Sequence, residues 1–385
     1  MAIRLNYQNL FNYLLTAKVC QENELKNTKI EVKLSRNFHW VLNLFNYTIV
    51  VKQASRHRKY YSKKHVEHEW LISSFFNSVS DLFEDYSITS EIIHFDGDNS
   101  IIIYKYPKNY IDLNSFYEDN TAFSAENAKL IGRTLAKLHY KSRNSQECYK
   151  FMSSLTADNF HHQLLYDDYF LCRIQPEDFS KLPVEVLNFM VFYQKCDKLR
   201  EAVTELVTHH RHCCLIHNNL QFNHILLHRQ WESLLPQTKD FDKSLIKLID
   251  WERCSWGDPA CDLGTVIAGY LLVWLNSMTI HPAIELEKSL QLATIPLEVI
   301  HPSIIVMTRA YIKNFPKLLE ERSDFLKLVI QFAGLTLIYY ILEAIEYHRE
   351  FSNRQIYILQ VAKSLLCQPE KSFESVFSLT ELAFI

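Results

Sequence analysis

The spacing of hydrophobic and polar positions changes several times along the chain, and each change marks an element. Leu10, Phe11, Leu14 and Leu15 recur at helical spacing, which predicts helix within residues 1–27. From Thr28 the period falls to two. Ile30, Val32 and Leu34 alternate with charged residues, Phe38, Trp40, Leu42 and Leu44 alternate likewise, and Tyr47 to Val51 is a third apolar run. Three such runs predict a small antiparallel sheet. Residues 64–76 return to helical spacing, with Glu69, Ile72, Phe75 and Phe76 on roughly one side. Glu91 to Tyr106 predicts a hairpin turning at Asp96-Gly97-Asp98-Asn99. Ser124 caps a helix ending in residues 131–139, and residues 150–212 carry long helical patterns, clearest at 187–207. After Gly264 the pattern is almost entirely helical, at 264–277, 284–293, 302–314, 323–350 and 353–366, with Pro282, Pro296, Pro302 and Pro316 as punctuation.

A chain of 385 residues has ample length for a core and suits one large or two closely packed domains. Its net charge of −3 gives no reason to expect generic nucleic-acid binding. The longest apolar runs are broken by polar residues, so no membrane span is expected, and the N-terminus lacks the pattern of a signal peptide. Nine cysteines without a C-x-x-C pair fit reduced thiols in a cytoplasmic protein. The run His209-His210-Arg211-His212 reads as a solvated helix end rather than a metal site, because consecutive helical residues point in different directions.

The densest candidate chemistry lies in Leu248 to Gly264, LIDWERCSWGDPACDLG. It holds Asp250, Asp258 and Asp262, and two of the chain's six glycines, a sign of local demands on the backbone. Asp250 follows the apolar run Lys247-Leu248-Ile249 and is placed to face a cleft. Spacing alone favours a strand, a polar turn and an acidic cap at Asp262 before the apolar run 263–275. Lys52, closing the strand-like run Val50-Val51, reads by itself as a solvent-facing strand lysine, and Glu69 as a surface glutamate.

Together these residues resemble the aminoglycoside phosphotransferase/choline kinase family. That family writes I-D-W-E and then G-D-P-x-x-D-L-[AG], and every position is filled here. Residues 131–139, IGRTLAKLH, resemble its G-x-x-L-A-x-L-H helix, and residues 214–227, CLIHNNLQFNHILL, resemble its loop L-x-H-x-D-L-x-x-x-N-I-L. The resemblance spans roughly residues 28–350. It implies an α+β, protein-kinase-like two-lobe fold, with a small antiparallel-sheet N-lobe, a larger mostly helical C-lobe and nucleotide between them. The implied domains are an N-terminal helical segment 1–27, an N-lobe 28–106 and a C-lobe 107–385. ATP and Mg2+ are the implied cofactors. Asp250 would hold the metal, Asp262 would brace the loop around His217, and Lys52 would contact the nucleotide phosphates. Glu69, or Glu67 as the alternative, would pair with Lys52, and Tyr104 and Tyr106 would lie at the hinge that takes up adenine. Tyr270, Trp274, Arg309, Tyr311, Tyr339 and Tyr340 offer lining for an acceptor pocket. No glycine-rich loop precedes Lys52, which argues against a conventional protein kinase.

The loop departs from the family at two positions. Asn219 stands where the catalytic aspartate belongs, and His224 where a metal-binding asparagine belongs. An amide has no comparable basicity, and imidazole is a poor magnesium ligand. Asn223 could serve the metal instead if the loop slipped by one residue. The implied function is transfer of phosphoryl from ATP to a hydroxyl of a small molecule or of Ser/Thr in a peptide, as in ribosomal-peptide modification. The alternative is an inactive pseudokinase that binds nucleotide and scaffolds or activates a partner protein.

Overall fold

The computed structural model describes residues 3–26, 28–34, 38–54, 62–83, 89–119, 123–155, 180, 182–235, 245–281 and 284–378. The basic segment expected as a loop at 56–64 lies outside them up to residue 61, as does 156–179 of the region read as helical. The chain divides into two units, one of residues 1–113 with 224–254, the other of residues 114–223 with 255–385.

The first unit is built on a sheet. After helix α1 (Leu10–Thr16) come β1 (Lys29–Leu34), β2 (Phe38–Asn43), β3 (Thr48–Gln53), helix α2 (Ser62–Ser78), β4 (Ile92–Asp96) and β5 (Ile101–Tyr106). The strands run antiparallel in the order β1-β2-β3-β5-β4, so the alternation seen in sequence is that of a real sheet. Leu10, Leu14 and Leu25 pack with Trp40, Leu42, Ile49, Val51, Ile101 and Ile103, which covers one face. Alternation sends Val50 and Lys52 to the opposite face. Strands β6 (Tyr110–Asp112), β7 (Ile225–His228) and β8 (Ile246–Leu248) form a second small sheet.

Helix α2 is tied to the turn that follows β8. Its Val66, Ile72, Phe75 and Phe76 are buried, and Phe76 meets Trp251 edge-on at 4.8 Å. His68 Nε2 donates to the Cys254 carbonyl at 2.7 Å. These contacts fix Glu69, which lies on the same helix face, while Glu67 is exposed.

The second unit is mostly helical. Its main helices are α3 (Ala125–Arg143), α4 (Pro259–Asn276), α5 (Leu297–Asn314), α6 (Phe325–Glu343) and α7 (Asn353–Cys367), and a short strand pair joins Cys214–Ile216 to Ser255–Gly257. The long pattern at 187–207 is two helices, Val184–Gln194 and Asp197–His209. Pro302 lies inside α5 instead of ending a helix, because the buried face of Ile300, Ile304, Met307 and Tyr311 carries the chain across the lost backbone bond. Gly132 is a close-approach residue: a Cβ there would lie 2.1 Å from the Met307 carbonyl oxygen of α5. Helices Pro259–Asn276 and Phe325–His348 are long and apolar enough to cross a membrane by length and composition alone. In each, 72% of the apolar 18-residue window is buried, so its apolar surface is spent on packing within this unit.

The glycines of the 248–264 stretch carry no left-handed backbone. Among the described residues no glycine has positive φ, and Gly264 is required by packing, since a Cβ there would lie 2.6 Å from the Val329 carbonyl oxygen. Left-handed backbone falls instead on non-glycine residues, among them Asp250, at φ 67°, and Asn218, at φ 60°.

Candidate active site

The first unit brings Lys52, Glu69, Asp250 and His224 together. Lys52, last but one in β3, is only 1% exposed and therefore is not a solvent-facing strand residue. Its Nζ donates to Glu69 Oε2 at 2.8 Å and to Asp250 Oδ1 at 2.6 Å, and it lies 2.6 Å from Glu252 Oε2. The second oxygen of Asp250, Oδ2, is 3.2 Å from His224 Nε2. Local structure explains the convergence. β7 pairs with β8 with Ile225 opposite Leu248, and the Ile249 N–H donates to the His224 carbonyl, so His224 and Asp250 emerge side by side.

One ammonium among three carboxylates divides them. Burial alone would lower the Lys52 pKa, but Asp250, Glu252 and Glu69 hold it well above its ordinary value. Burial would raise Asp250 and Glu252, but Lys52 outweighs it, so Asp250 falls below the usual carboxylate range and Glu252 falls to about 2. Glu69 goes the other way. Burial, with the two neighbouring carboxylates, pushes it up to about 7 in spite of its contact with Lys52.

Tyr104 and Tyr106 lie at the end of β5. The Tyr104 side chain lines a small cavity with Glu69, Ile249, Asp250 and Trp251, and burial beside Glu69 holds its hydroxyl well above the usual range. Tyr106 packs instead against Tyr110, Leu226 and Ile249.

The second unit holds the loop. Asp262 is fully buried in the first turn of α4 and accepts the backbone N–H of His217 at 2.7 Å and of Asn218 at 2.9 Å. His139 of α3 lies 3.1 Å from Asp262 Oδ2 through Nε2, and its Nδ1 lies 2.8 Å from the Tyr311 hydroxyl. Burial works to raise the Asp262 pKa, but the His139 hydrogen bond and its neighbours bring it below the ordinary value. Asp262 thus acts on the loop backbone. His217 is fully buried, which supports a role in holding the loop rather than in touching substrate. Asn219 is 6% exposed.

Several residues differ from expectation. Glu252 was visible as the last letter of I-D-W-E, but its sequence carries no sign that it would share Lys52. The Asp258–Arg322 pair had no signal: both guanidinium ends meet the Asp258 oxygens at 2.9 Å, and Arg211 N–H adds a third bond. Tyr270 and Tyr311 do not line an open pocket. Both are fully buried, with hydroxyls on Tyr117 and His139, because a large aromatic ring with a satisfied hydroxyl is good core material. The histidine run is partly tied down rather than solvated, as His212 Nδ1 donates to the Trp256 carbonyl at 2.9 Å.

No family model matches the chain, and no curated protein matches it in sequence. Solved structures do. An ethanolamine kinase of Plasmodium vivax superposes with a TM-score of 0.50 at 13% identity, covering 97% of this chain and 92% of its own. The aminoglycoside phosphotransferase APH(2'')-Ib with ADP bound gives 0.49 at 12% identity, over 94% and 99%. Choline kinase LicA from Streptococcus pneumoniae gives 0.45 at 13%, over 92% and 98%. The chain has the α+β, protein-kinase-like fold of the ethanolamine kinase, with an antiparallel-sheet unit and a mostly helical unit. At such identity the likeness is one of fold.

Proposed function

We propose that this protein is a nucleotide-binding, kinase-like phosphotransferase that moves the terminal phosphoryl of ATP to a hydroxyl of a small molecule or of a peptide Ser/Thr. The observation that carries the reading is the buried Lys52, bonded at once to Glu69 and Asp250. A strand ammonium held by a helix glutamate is the arrangement that receives nucleotide phosphates, and it stands beside the carboxylate that serves the metal. Lys52 would bind phosphate, Glu69 would orient it, and Tyr104 would close the cavity behind it. Asp262 would hold the loop bearing Asn219 in place through its two backbone bonds.

The donor set fits a divalent cation. Carboxylate oxygens of Glu69, Asp250 and Glu252 lie within 4.8 Å of one another around Lys52, which offsets only one of their charges, so the surplus negative charge would draw a cation to the side of Asp250 that Lys52 leaves open. Asp250 would hold the metal with His224 beside it, and a bound ion would supply neutralisation of phosphate charge. The free cysteines among the described residues support a cytoplasmic setting.

Asn219 favours a second reading, a pseudokinase that binds nucleotide and acts through a partner protein, since an amide cannot accept the proton of an attacking hydroxyl. Nucleotide binding is common to both and is tested first. At about a hundred times its dissociation constant, a nonhydrolysable ATP analogue with divalent cation should stabilise the protein by ~2.7 kcal/mol, a melting shift on the order of 3 °C. The shift should vanish in Asp250→Asn. A melting point indifferent to nucleotide would sink the proposal.

A further inference from the structure

We propose that His224 and Asp250 form a cation site suited to a first-row transition ion such as Mn2+, in preference to Mg2+. The inference takes its role from the nucleotide-site reading above, although its chemistry stands apart from it.

The two oxygens of Asp250 are divided. Oδ1 belongs to Lys52 at 2.6 Å, while Oδ2 faces His224 Nε2 at 3.2 Å. Two donors each about 2.0–2.2 Å from one cation, at angles from right to tetrahedral, stand roughly 2.8–3.6 Å apart. The observed 3.2 Å lies inside that range. The three-carboxylate cluster is a poorer place for the ion, because Lys52 already contacts Glu69, Asp250 and Glu252 there.

The pair is preorganised. His224 ends the short turn Phe222–His224 and leads into β7, Asp250 follows β8, and the Ile249-to-His224 backbone bond of 3.0 Å clasps their bases. Asp250 keeps a left-handed backbone, at φ 67°, that L residues with a side chain adopt at a cost, and such strain concentrates at ligand sites. A second observation points to a ligand on this face. His39 is the cross-strand partner of Lys52, so their side chains share a face, and among the described residues its buried Nε2 has no hydrogen-bond partner.

Donor chemistry sets the preference. Magnesium favours an all-oxygen octahedron and gives up its waters reluctantly. A nitrogen donor shifts the balance towards transition ions, which bind imidazole more strongly.

The test uses the full chain, stripped of metal and without nucleotide. Mn2+ binding is followed by loss of the free-ion electron paramagnetic resonance signal, Mg2+ by competition, and bound Mn2+ by nitrogen coupling in pulsed spectra. We expect Mn2+ to bind at least about tenfold more tightly than Mg2+, with nitrogen coupling present. His224→Asn should weaken Mn2+ by about tenfold, leave Mg2+ no weaker and remove the coupling. His224→Gln serves as the second variant, and circular dichroism confirms folding of each. Equal affinities, a ratio unchanged by the variants, or absence of nitrogen coupling in the wild type would overturn the proposal. If neither variant folds, the wild-type coupling and affinity ratio decide. Nucleotide melting shifts on the same protein separate the two readings. Mn2+ binding without a nucleotide shift retains this site and retires the phosphotransferase, and a nucleotide shift without the Mn2+ preference does the reverse.

Discussion

Glu252 lies 2.6 Å from Lys52, nearer than the 2.8 Å of Glu69. Lys52 therefore neutralises a buried group of three acids, and its removal is expected to cost more than a single ion pair. Lys52→Met should destabilise the protein by about 3–5 kcal/mol, because it leaves buried charges uncompensated. Denaturant unfolding at pH 7 measures it. A loss under about 1 kcal/mol would show that these carboxylates are hydrated or protonated without their lysine.

Glu69 gives the site a pH dependence of definite sign. Its folded value of about 7 is above its ordinary 4.5, so between these the folded state binds the proton that the unfolded state has released. Stability from this group is fully present below pH 4.5 and is lost as pH rises through 7. Glu69→Gln cannot titrate. The stability of the wild type relative to this variant should therefore fall from pH 5 to pH 8. A difference that is flat or grows with pH would mean that Glu69 is ionised throughout.

Asp262 and Asp250 should respond differently to loss of charge. Asp262→Asn can keep only one of the two backbone bonds to His217 and Asn218, and should cost ~1–3 kcal/mol. Asp250→Asn gives up the charge that Lys52 holds below the usual carboxylate range, which outweighs the relief of repulsion with Glu252 and Glu69, and should cost more. Denaturation of both without metal compares them. A smaller loss for Asp250→Asn would show that repulsion among the three carboxylates outweighs the bond to Lys52.

Restoring the loop tests its chemistry. Asn219→Asp with His224→Asn supplies a proton acceptor and an oxygen ligand on a loop whose apolar anchors Leu220, Ile225 and Leu226 are already fully buried. General-base catalysis is typically worth ~10²–10⁴-fold, so ATP turnover should rise even with water as acceptor. No gain, with nucleotide still bound, would favour the pseudokinase.

Gly132 offers a check on packing. Gly132→Ala places a methyl where the Met307 carbonyl approaches to 2.1 Å, so α3 and α5 must move apart. Overpacking of this kind costs ~1–3 kcal/mol, and a melting point unchanged by the substitution would show that the helices yield freely.

Much of this was settled by short-range order in the chain. The alternation through residues 28–53, the hairpin at 91–106 and the Ser124 cap depend on neighbours a few residues away, and they stand in the structure as β1 to β5 and α3. The 248–264 stretch was legible for the same reason, since a strand, a turn and a helix start lie within it. Tertiary structure decided how charge and volume are shared. Lys52 and Asp250 are 198 residues apart, so no local pattern could say that Glu252 would join them or that Glu69 would be the least well neutralised. Tyr270 and Tyr311 have the composition of pocket lining, and only the hydroxyls of Tyr117 and the ring of His139 make them core. Periodicity reports which face a side chain takes, but ionisation and burial follow from what the rest of the chain brings to that face.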